Sequence, residues 1–165
     1  MKLLADIGNS QIKVAQNDNQ KLLKIKSFSI EDIEKFRKYI TKTYAIKGCT
    51  LFYSSVLGDK FNRKIKQTLK GIFISETEFK STKSLMTVRN CYKQPGKLGS
   101  DRWAQIVAAH KIFKKNTMIV SCGSAISIDY VTATGIHKGG LILSGAERYK
   151  NCFLDIHNLK NIKLS

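Results

Sequence analysis

An aspartate and an arginine stand side by side in one short segment, KLGSDRWA at residues 97–104. Glycine lets a backbone come close to a ligand, and the start of a helix offers unpaired N–H groups to an anion. A carboxylate at that point can accept a proton from a substrate hydroxyl. The purely structural alternative is a helix cap, in which Asp101 accepts hydrogen bonds from free N–H groups of the first turn and Arg102 is solvated. On this segment alone the cap is the simpler interpretation.

Two turns elsewhere in the chain favour the chemical interpretation. Residues 6–10, DIGNS, follow a short apolar strand, and residues 122–125, CGSA, join two further strands. When Gly8 is aligned with Gly123, the pattern of strand, turn and strand recurs. Two such turns on two copies of one sheet could clamp a phosphate chain between backbone N–H groups. A duplicated domain without that role remains the alternative.

The periodicity of apolar residues predicts the elements that position these turns. Alternation of period two predicts strands, and apolar residues three and four apart predict helices. Ser29 and Asp32 resemble a capping box in front of the first helix. Strands that alternate with helices predict a partly parallel sheet. The predicted strands are 3–6, 12–15, 22–28, 49–56, 71–75, 117–121, 126–131 and 137–143; the predicted helices are 30–40, 60–70 and 101–113. Residues 76–98, between the strand at 71–75 and the last helix, lack periodicity and are predicted to form a functional or mobile loop.

The composition constrains the partners. The 165 residues include 29 Lys and Arg against 12 Asp and Glu, a formal net charge of +17. Such a charge raises a nucleic-acid hypothesis. The lysines are spread along the whole chain, however, and do not form one tract with interleaved aromatic residues. No apolar run approaches the roughly 20 residues of a membrane helix. We therefore expect no membrane association, and we favour small anionic substrates over nucleic acid.

The cysteines and histidines give no metal pattern. Cys49, Cys91, Cys122 and Cys152 are far apart and include no CxxC pair. We interpret them as free thiols of a cytoplasmic protein, because the N-terminus also lacks a signal-peptide layout. His110 and Trp103 are interpreted as core residues, whereas His137 and His157 are too isolated to be metal ligands.

Four motifs in order resemble the signatures of type III pantothenate kinases. They are DIGNS at residues 6–10, PxxLGxDR at 95–102, GSAxSxD at 123–129 and GGxIxxG at 139–145. That family belongs to the superfamily of acetate and sugar kinases, Hsp70 and actin. The resemblance implies an α/β, ribonuclease-H-like (actin-like ATPase) fold with a duplicated domain. The first domain would cover residues 1–113, and residues 114–165 would begin a second, incomplete copy.

The resemblance also implies an activity, the ATP-dependent phosphorylation of pantothenate to 4′-phosphopantothenate in coenzyme A synthesis. Asp101 would be the general base on the primary hydroxyl. Asp6 would hold Mg²⁺ through water. Family members are homodimers and use a monovalent cation, K⁺ or NH₄⁺. The implied ATP-binding residues are Asp6, Ile7, Gly8, Asn9, Ser10, Gln11, Ile12, Lys13 and Ser124; the implied pantothenate-binding residues are Tyr92, Gly99, Ser100, Asp101 and Arg102.

Three departures from the family pattern bear on these expectations. Ser121 stands where the family has an acidic ligand of the monovalent cation, and a hydroxyl can coordinate K⁺ but adds no charge. Ser144 replaces the usual proline of the GGxIxPG segment. The chain ends at Ser165, where the family's later helices are expected to follow, and residues 146–165 resemble the start of a helix with Tyr149, Phe153 and Ile156 on one side.

Two alternative functions stay open. The first is a degenerate relative that binds nucleotide or pantothenate without turnover, which the serine at position 121 and the short C-terminus motivate. The second is a basic regulator that binds nucleic acid, which only the net charge supports. The pantothenate kinase interpretation is the leading one, because one base, one metal-organising acid and a cradle of N–H groups suffice for phosphoryl transfer.

Overall fold

A computed structural model describes residues 2–18, 21–44, 48–146, 148 and 149 of the chain. The chain divides into two compact units. The first comprises residues 1–81 and 98–103, and the second comprises residues 82–97 and 104–165. This division by contacts does not coincide with the predicted domain boundary after residue 113, which stays a prediction. The predicted helix at residues 146–165 lies mostly outside the described residues.

The first unit is built on a five-stranded mixed sheet. Its order is β3-β2-β1-β4-β5, in which β1, β2 and β3 form an antiparallel meander and β4 and β5 run parallel to β1. The predicted meander and the predicted parallel part are both confirmed. The strands are β1 Lys2–Ile7, β2 Gln11–Asp18, β3 Lys21–Ser29, β4 Thr50–Ser55 and β5 Ser75–Phe79.

Two helices cover this sheet, α1 Ile33–Tyr44 and α2 Asp59–Leu69. Each buries one apolar face, and together with the alternating inward residues of β1, β2 and β4 they form a single core cluster. The cap of α1 differs from the prediction. The Asp32 carboxylate accepts a hydrogen bond from the Lys35 backbone N–H at 3.2 Å, so Asp32 is the cap residue. Ser29 lies outside the helix and instead accepts from the Glu31 N–H at 3.3 Å.

The strand predicted at residues 71–75 is misplaced. The structure has β5 at Ser75–Phe79, and the apolar residues Ile72 and Phe73 pack against the core cluster ahead of the strand. The loop predicted for residues 76–98 is consequently shorter. It also contains a small hairpin of β6, Ser84–Leu85, and β7, Val88–Arg89, and a 3₁₀ turn at Pro95–Lys97.

The second unit contains an antiparallel meander of three strands. They are β8 Thr117–Cys122, β9 Ala125–Val131 and β10 His137–Ser144, in the order β10-β9-β8. The predicted recurrence of the opening meander is thus confirmed. The helix α3, Ser100–Phe113, begins in the first unit and belongs to the second from Ala104 onward. Among the residues described, no helix is long and apolar enough to cross a bilayer.

Candidate active site

The first candidate feature is the turn between β1 and β2. The Gly8 N–H donates to the Gln11 carbonyl at 2.9 Å, and the Ile30 N–H donates to the Ser10 carbonyl at 3.0 Å. These two bonds fix the turn at both ends. Asp6 and Lys13 are cross-strand partners, and the burial of Ile7 and Ile12 leaves both charged side chains on the open face of the hairpin.

The second feature is the start of α3. The Trp103 N–H donates to the Gly99 carbonyl at 2.9 Å, which forms the first helical turn. The Ser100 hydroxyl donates to the Ser55 carbonyl at 3.1 Å and lies 3.0 Å from the Ser54 hydroxyl. These contacts attach the helix start to the C-terminal end of β4.

A further backbone bond connects β4 to β1 at the same end of the sheet. The Val56 N–H donates to the Ile7 carbonyl at 3.2 Å. Because β1 and β4 are parallel, their carboxyl ends lie on the same side of the sheet, and the start of α3 is attached there through Ser100. The hydrogen bonds therefore join the carboxyl ends of β1 and β4 to the start of α3.

Asp6 and Asp101 are brought together at the carboxyl ends of β1 and β4. The pKa of the Asp6 carboxyl is raised above its ordinary value, first because nearby atoms reduce its solvation and second because the Asp101 carboxylate repels its charge. Lys13 acts in the opposite direction. Two neighbouring carboxylates beside the start of a helix can together hold a cation and accept a proton.

Gly99 makes room for the Asp101 carboxylate. A Cβ atom at position 99 would lie 2.6 Å from Asp101 Oδ1, closer than Cβ atoms approach other heavy atoms in proteins. The nearest other side chain, Val56, would be in ordinary contact at 3.9 Å. Glycine is needed here for the close approach of the carboxylate rather than for an unusual backbone conformation.

In the second unit, the turn between β8 and β9 forms the corresponding feature. The Gly123 N–H donates to the Ala125 carbonyl at 3.0 Å. Gly145 lies directly against this turn, since a Cβ at position 145 would overlap the Gly123 carbonyl oxygen and lie 2.6 Å from that of Ser124. Ser124 is exposed at the turn. The turn thus depends on a glycine just after β10.

The comparisons with known proteins bear on these motifs. The model of one family, the type III pantothenate kinases, matches residues 2–156. The chain belongs to this family. A type III pantothenate kinase from Nitrosococcus oceani is 33% identical over 153 residues, which are 88% of this chain and 57% of that protein. One from Marinomonas sp. is 48% identical over 58 residues, 35% of this chain and 24% of that protein. The chain thus spans little more than half the length of the N. oceani relative.

Solved structures with little sequence similarity establish the fold. The ethanolamine utilization protein EutJ from Carboxydothermus hydrogenoformans matches with a TM-score of 0.50 and 9% identity over 96% of this chain and 57% of EutJ. MreB5 of Spiroplasma citri, solved bound to ADP, matches with a TM-score of 0.50 and 7% identity over 95% of this chain and 57% of MreB5. The fold is the ribonuclease-H-like fold of actin-like ATPases with a partial second domain, as predicted.

The other pantothenate-binding candidates of the family motif lie in different surroundings. Arg102 is only 6% exposed, and Trp103 is fully buried as predicted. Tyr92 is half-buried in the second unit; its ring stacks on that of His137 with 6.1 Å between centroids, and its N–H donates to the Asn90 side chain at 3.0 Å. Asn90 is buried and donates to the carbonyls of Thr82 and Pro95, so it holds this loop in shape.

Ser121, which the family resemblance assigns to a monovalent cation, has a hydrogen-bond donor beside it. The Gln105 side-chain amide donates to the Ser121 hydroxyl at 3.3 Å. An N–H donor directed at this hydroxyl is unfavourable to a cation bound there. Among the residues described, no group of three His, Cys, Asp or Glu side chains could hold a metal.

A buried polar group was missed by the sequence interpretation. The sequence predicts only that His137 is too isolated to be a metal ligand; the structure shows it fully buried, with its Nε2 3.0 Å from Asp129 Oδ1. Asp129 is 2% exposed. The alternation of β9 places Asp129 on the same inward face as Val131, and this pattern could have predicted a buried carboxylate. His110 is buried as predicted, although its Nδ1 has no hydrogen-bond partner among the described residues.

Proposed function

We propose that the protein phosphorylates pantothenate with ATP to give 4′-phosphopantothenate, the first step of coenzyme A synthesis. Family membership supports this proposal. The single observation that carries it is the pairing of Asp6 with Asp101 where the carboxyl ends of β1 and β4 meet the start of α3. This pairing supplies a base and a metal-organising acid within one unit.

The proposed mechanism assigns the proton to Asp101. Its carboxylate accepts the proton of the pantothenate primary hydroxyl as the oxygen attacks the terminal phosphate of ATP. Ser100 holds the start of α3 through its bonds to β4, so the carboxylate keeps its position during the reaction. Gly99, Ser100 and Arg102, with Tyr92, are the proposed pantothenate contacts.

The proposed nucleotide contacts are the turn of residues 6–13 and Ser124. The backbone N–H groups of such turns suit phosphate oxygens. Asp6 fits a water-mediated Mg²⁺ ion, because its pKa is raised by partial burial and by the nearby Asp101 carboxylate, and a cation would relieve that repulsion. Mg²⁺, when bound, neutralises charge that develops on the phosphates. Lys13, the cross-strand partner of Asp6, adds a further positive charge.

Three finer parts of the proposal come from the family. We expect a homodimer in the cytoplasm. We expect a monovalent cation, K⁺ or NH₄⁺, to bind more weakly than in relatives with an acid at position 121, because Ser121 carries no charge and accepts from Gln105. No contact with nucleic acid or membrane is part of the proposal.

The test is the substitution Asp101→Asn in the complete product of the reading frame. We expect kcat/KM for pantothenate to fall by about 10²–10⁴-fold, the usual contribution of a general base. ATP affinity measured by calorimetry should stay within a factor of two or so, because Asp101 is not a proposed nucleotide contact.

Asp59→Asn is the matched control, since Asp59 also lies in the first turn of a helix. It should leave turnover unchanged. Full turnover by Asp101→Asn would refute the role of Asp101 as base.

One observation favours a second candidate function, the binding of nucleotide or pantothenate without turnover. Ser121 and its bond to Gln105 replace the acidic cation ligand of the family. Calorimetric binding of nucleotide together with no phosphorylation at any K⁺ or NH₄⁺ concentration would support this function over the kinase.

A further inference from the structure

Three residues of the second unit form a linked polar cluster that the proposed kinase reaction does not use. His137 Nε2 lies 3.0 Å from Asp129 Oδ1, and His137 Nδ1 lies 3.6 Å from Cys91 Sγ. We call Cys91, His137 and Asp129 the thiol cluster. The imidazole lies between a carboxylate on one side and a thiol on the other, the order found in activated cysteine nucleophiles.

The hydrogen-bonding capacity of the three groups fixes where the proton goes. An ionised carboxylate only accepts hydrogen bonds, so His137 Nε2 carries a proton that it donates to Asp129. In the neutral ring Nδ1 is then the acceptor, and its partner is the Cys91 S–H. Transfer of that proton gives a thiolate beside an imidazolium whose charge Asp129 stabilises.

Burial separates the base from the nucleophile. His137 is fully buried and Asp129 is 2% exposed, whereas Cys91 is exposed. Tyr92 stacks on the imidazole ring and holds its plane, with 15° between the two rings. A reagent in solution can therefore reach the sulfur while the imidazole and carboxylate stay enclosed.

We propose that Cys91 is a nucleophilic thiol that undergoes exchange with low-molecular-weight disulfides. In the exchange a bond forms between Cys91 Sγ and one sulfur of the disulfide, and the S–S bond of the disulfide breaks. Cys91 is oxidised and the departing sulfur is reduced, so no other oxidant is needed. The proton of the Cys91 thiol passes to His137 and then to the departing thiolate.

The first test is the alkylation of the native protein by iodoacetamide at pH 6.5, followed at each cysteine by mass spectrometry. A free thiol is only about 1% thiolate at this pH. We expect Cys91 to react roughly tenfold faster than glutathione, because the His137 imidazole beside its sulfur accepts the thiol proton during attack. Equal or slower reaction of Cys91 would refute the proposal, and this outcome does not depend on any variant.

The second test is Asp129→Asn, which removes the negative charge beside His137. The Cys91 rate should then fall to that of glutathione, whereas exposed Cys122 should be unaffected. Buried Cys49 reports folding, because it reacts only if the core opens. An unchanged Cys91 rate in a variant that still protects Cys49 would overturn the role of the cluster.

The third test uses oxidised glutathione as the disulfide. We expect a mixed disulfide at Cys91 ahead of Cys122, and its loss on addition of dithiothreitol. A mixed disulfide at Cys122 alone would overturn the proposal. None of these readouts involves phosphorylation, so they stand or fall separately from the proposed kinase function.

Discussion

Asp101 occupies a position that folding alone would not favour. The pKa of the Asp6 carboxyl is raised by partial burial and by repulsion from the Asp101 carboxylate, so the two carboxylates repel each other where they lie. Asp101 also needs a glycine beside it, since a Cβ at position 99 would lie 2.6 Å from Asp101 Oδ1. Local rules are commonly broken in this way at functional sites. Both observations support a chemical role for Asp101 over a simple helix cap.

Gly99→Ala should impair phosphorylation much more than stability. The added methyl group meets the end of a side chain, which can turn away without moving the backbone. The displaced Asp101 carboxylate then loses the position proposed for the base, and a misplacement of about 1 Å can cost on the order of 10²-fold in rate. Steady-state kinetics and thermal unfolding of the same preparation check both parts.

Gly96→Ala is the matched control, because a Cβ at position 96 meets no atom within 4 Å. It should change neither turnover nor the unfolding temperature. Normal turnover by the Gly99→Ala variant would show that the position of the Asp101 carboxylate is unimportant.

The residues that local spacing can reveal were predicted from the sequence, and the remainder were not. Gly99 and Asp101 belong to one short motif, and the motif placed them at a helix start, where they lie. Cys91 and His137 are 46 positions apart, and His137 and Asp129 are eight apart on two strands. Only the register of β9 against β10 brings the last two together, so the thiol cluster was invisible to motif reasoning.

At the scale of elements, apolar periodicity located β4 and the strands of both meanders and failed for β5. The residues of β5 are SETEF, and three of the five are exposed because the strand lies at the edge of its sheet. An edge strand needs no strict alternation of apolar residues. The more apolar residues ahead of it, Ile72 and Phe73, pack on the core from a turn. Hydrophobicity therefore located the segment but not the strand.

Gly145→Ala should destabilise the turn between β8 and β9. The added methyl group would meet backbone carbonyl oxygens of Gly123 and Ser124, which cannot move without disturbing the turn. Overpacking of this kind costs about 1–3 kcal/mol. We expect a lower urea midpoint at an unchanged denaturant slope, and weaker ATP binding by calorimetry if Ser124 is a nucleotide contact.

Gly123→Ala provides the comparison within the same turn. A Cβ at position 123 would make an ordinary 3.7 Å contact with the Ala125 carbonyl oxygen, so its urea midpoint should stay near that of the unchanged protein. Equal destabilisation by the two substitutions would contradict the close packing of Gly145 on the turn.

At the scale of the whole molecule, the duplicated plan was predictable and the exposed surface of the second unit was not. Both units contain a three-stranded antiparallel meander that begins with a strand, a glycine turn and a second strand. In β10, however, the consecutive residues Leu141, Ile142 and Leu143 are all exposed. Strand periodicity predicts which residues share a face of the sheet, but it does not reveal whether other elements pack on that face.

The net charge of +17 gives the last prediction, which concerns nucleic acid. The lysines are spread over both units, so any contact with DNA should be electrostatic and without base readout. We expect a fluorescent 20-base-pair duplex to bind at low salt and to lose affinity steeply as salt rises, with Kd about 10⁻⁴ M or weaker near 0.15 M salt. Duplexes of different sequence should bind alike. Submicromolar binding at 0.15 M salt that discriminates between sequences would instead favour a nucleic-acid regulator, because counterion release alone cannot produce specificity.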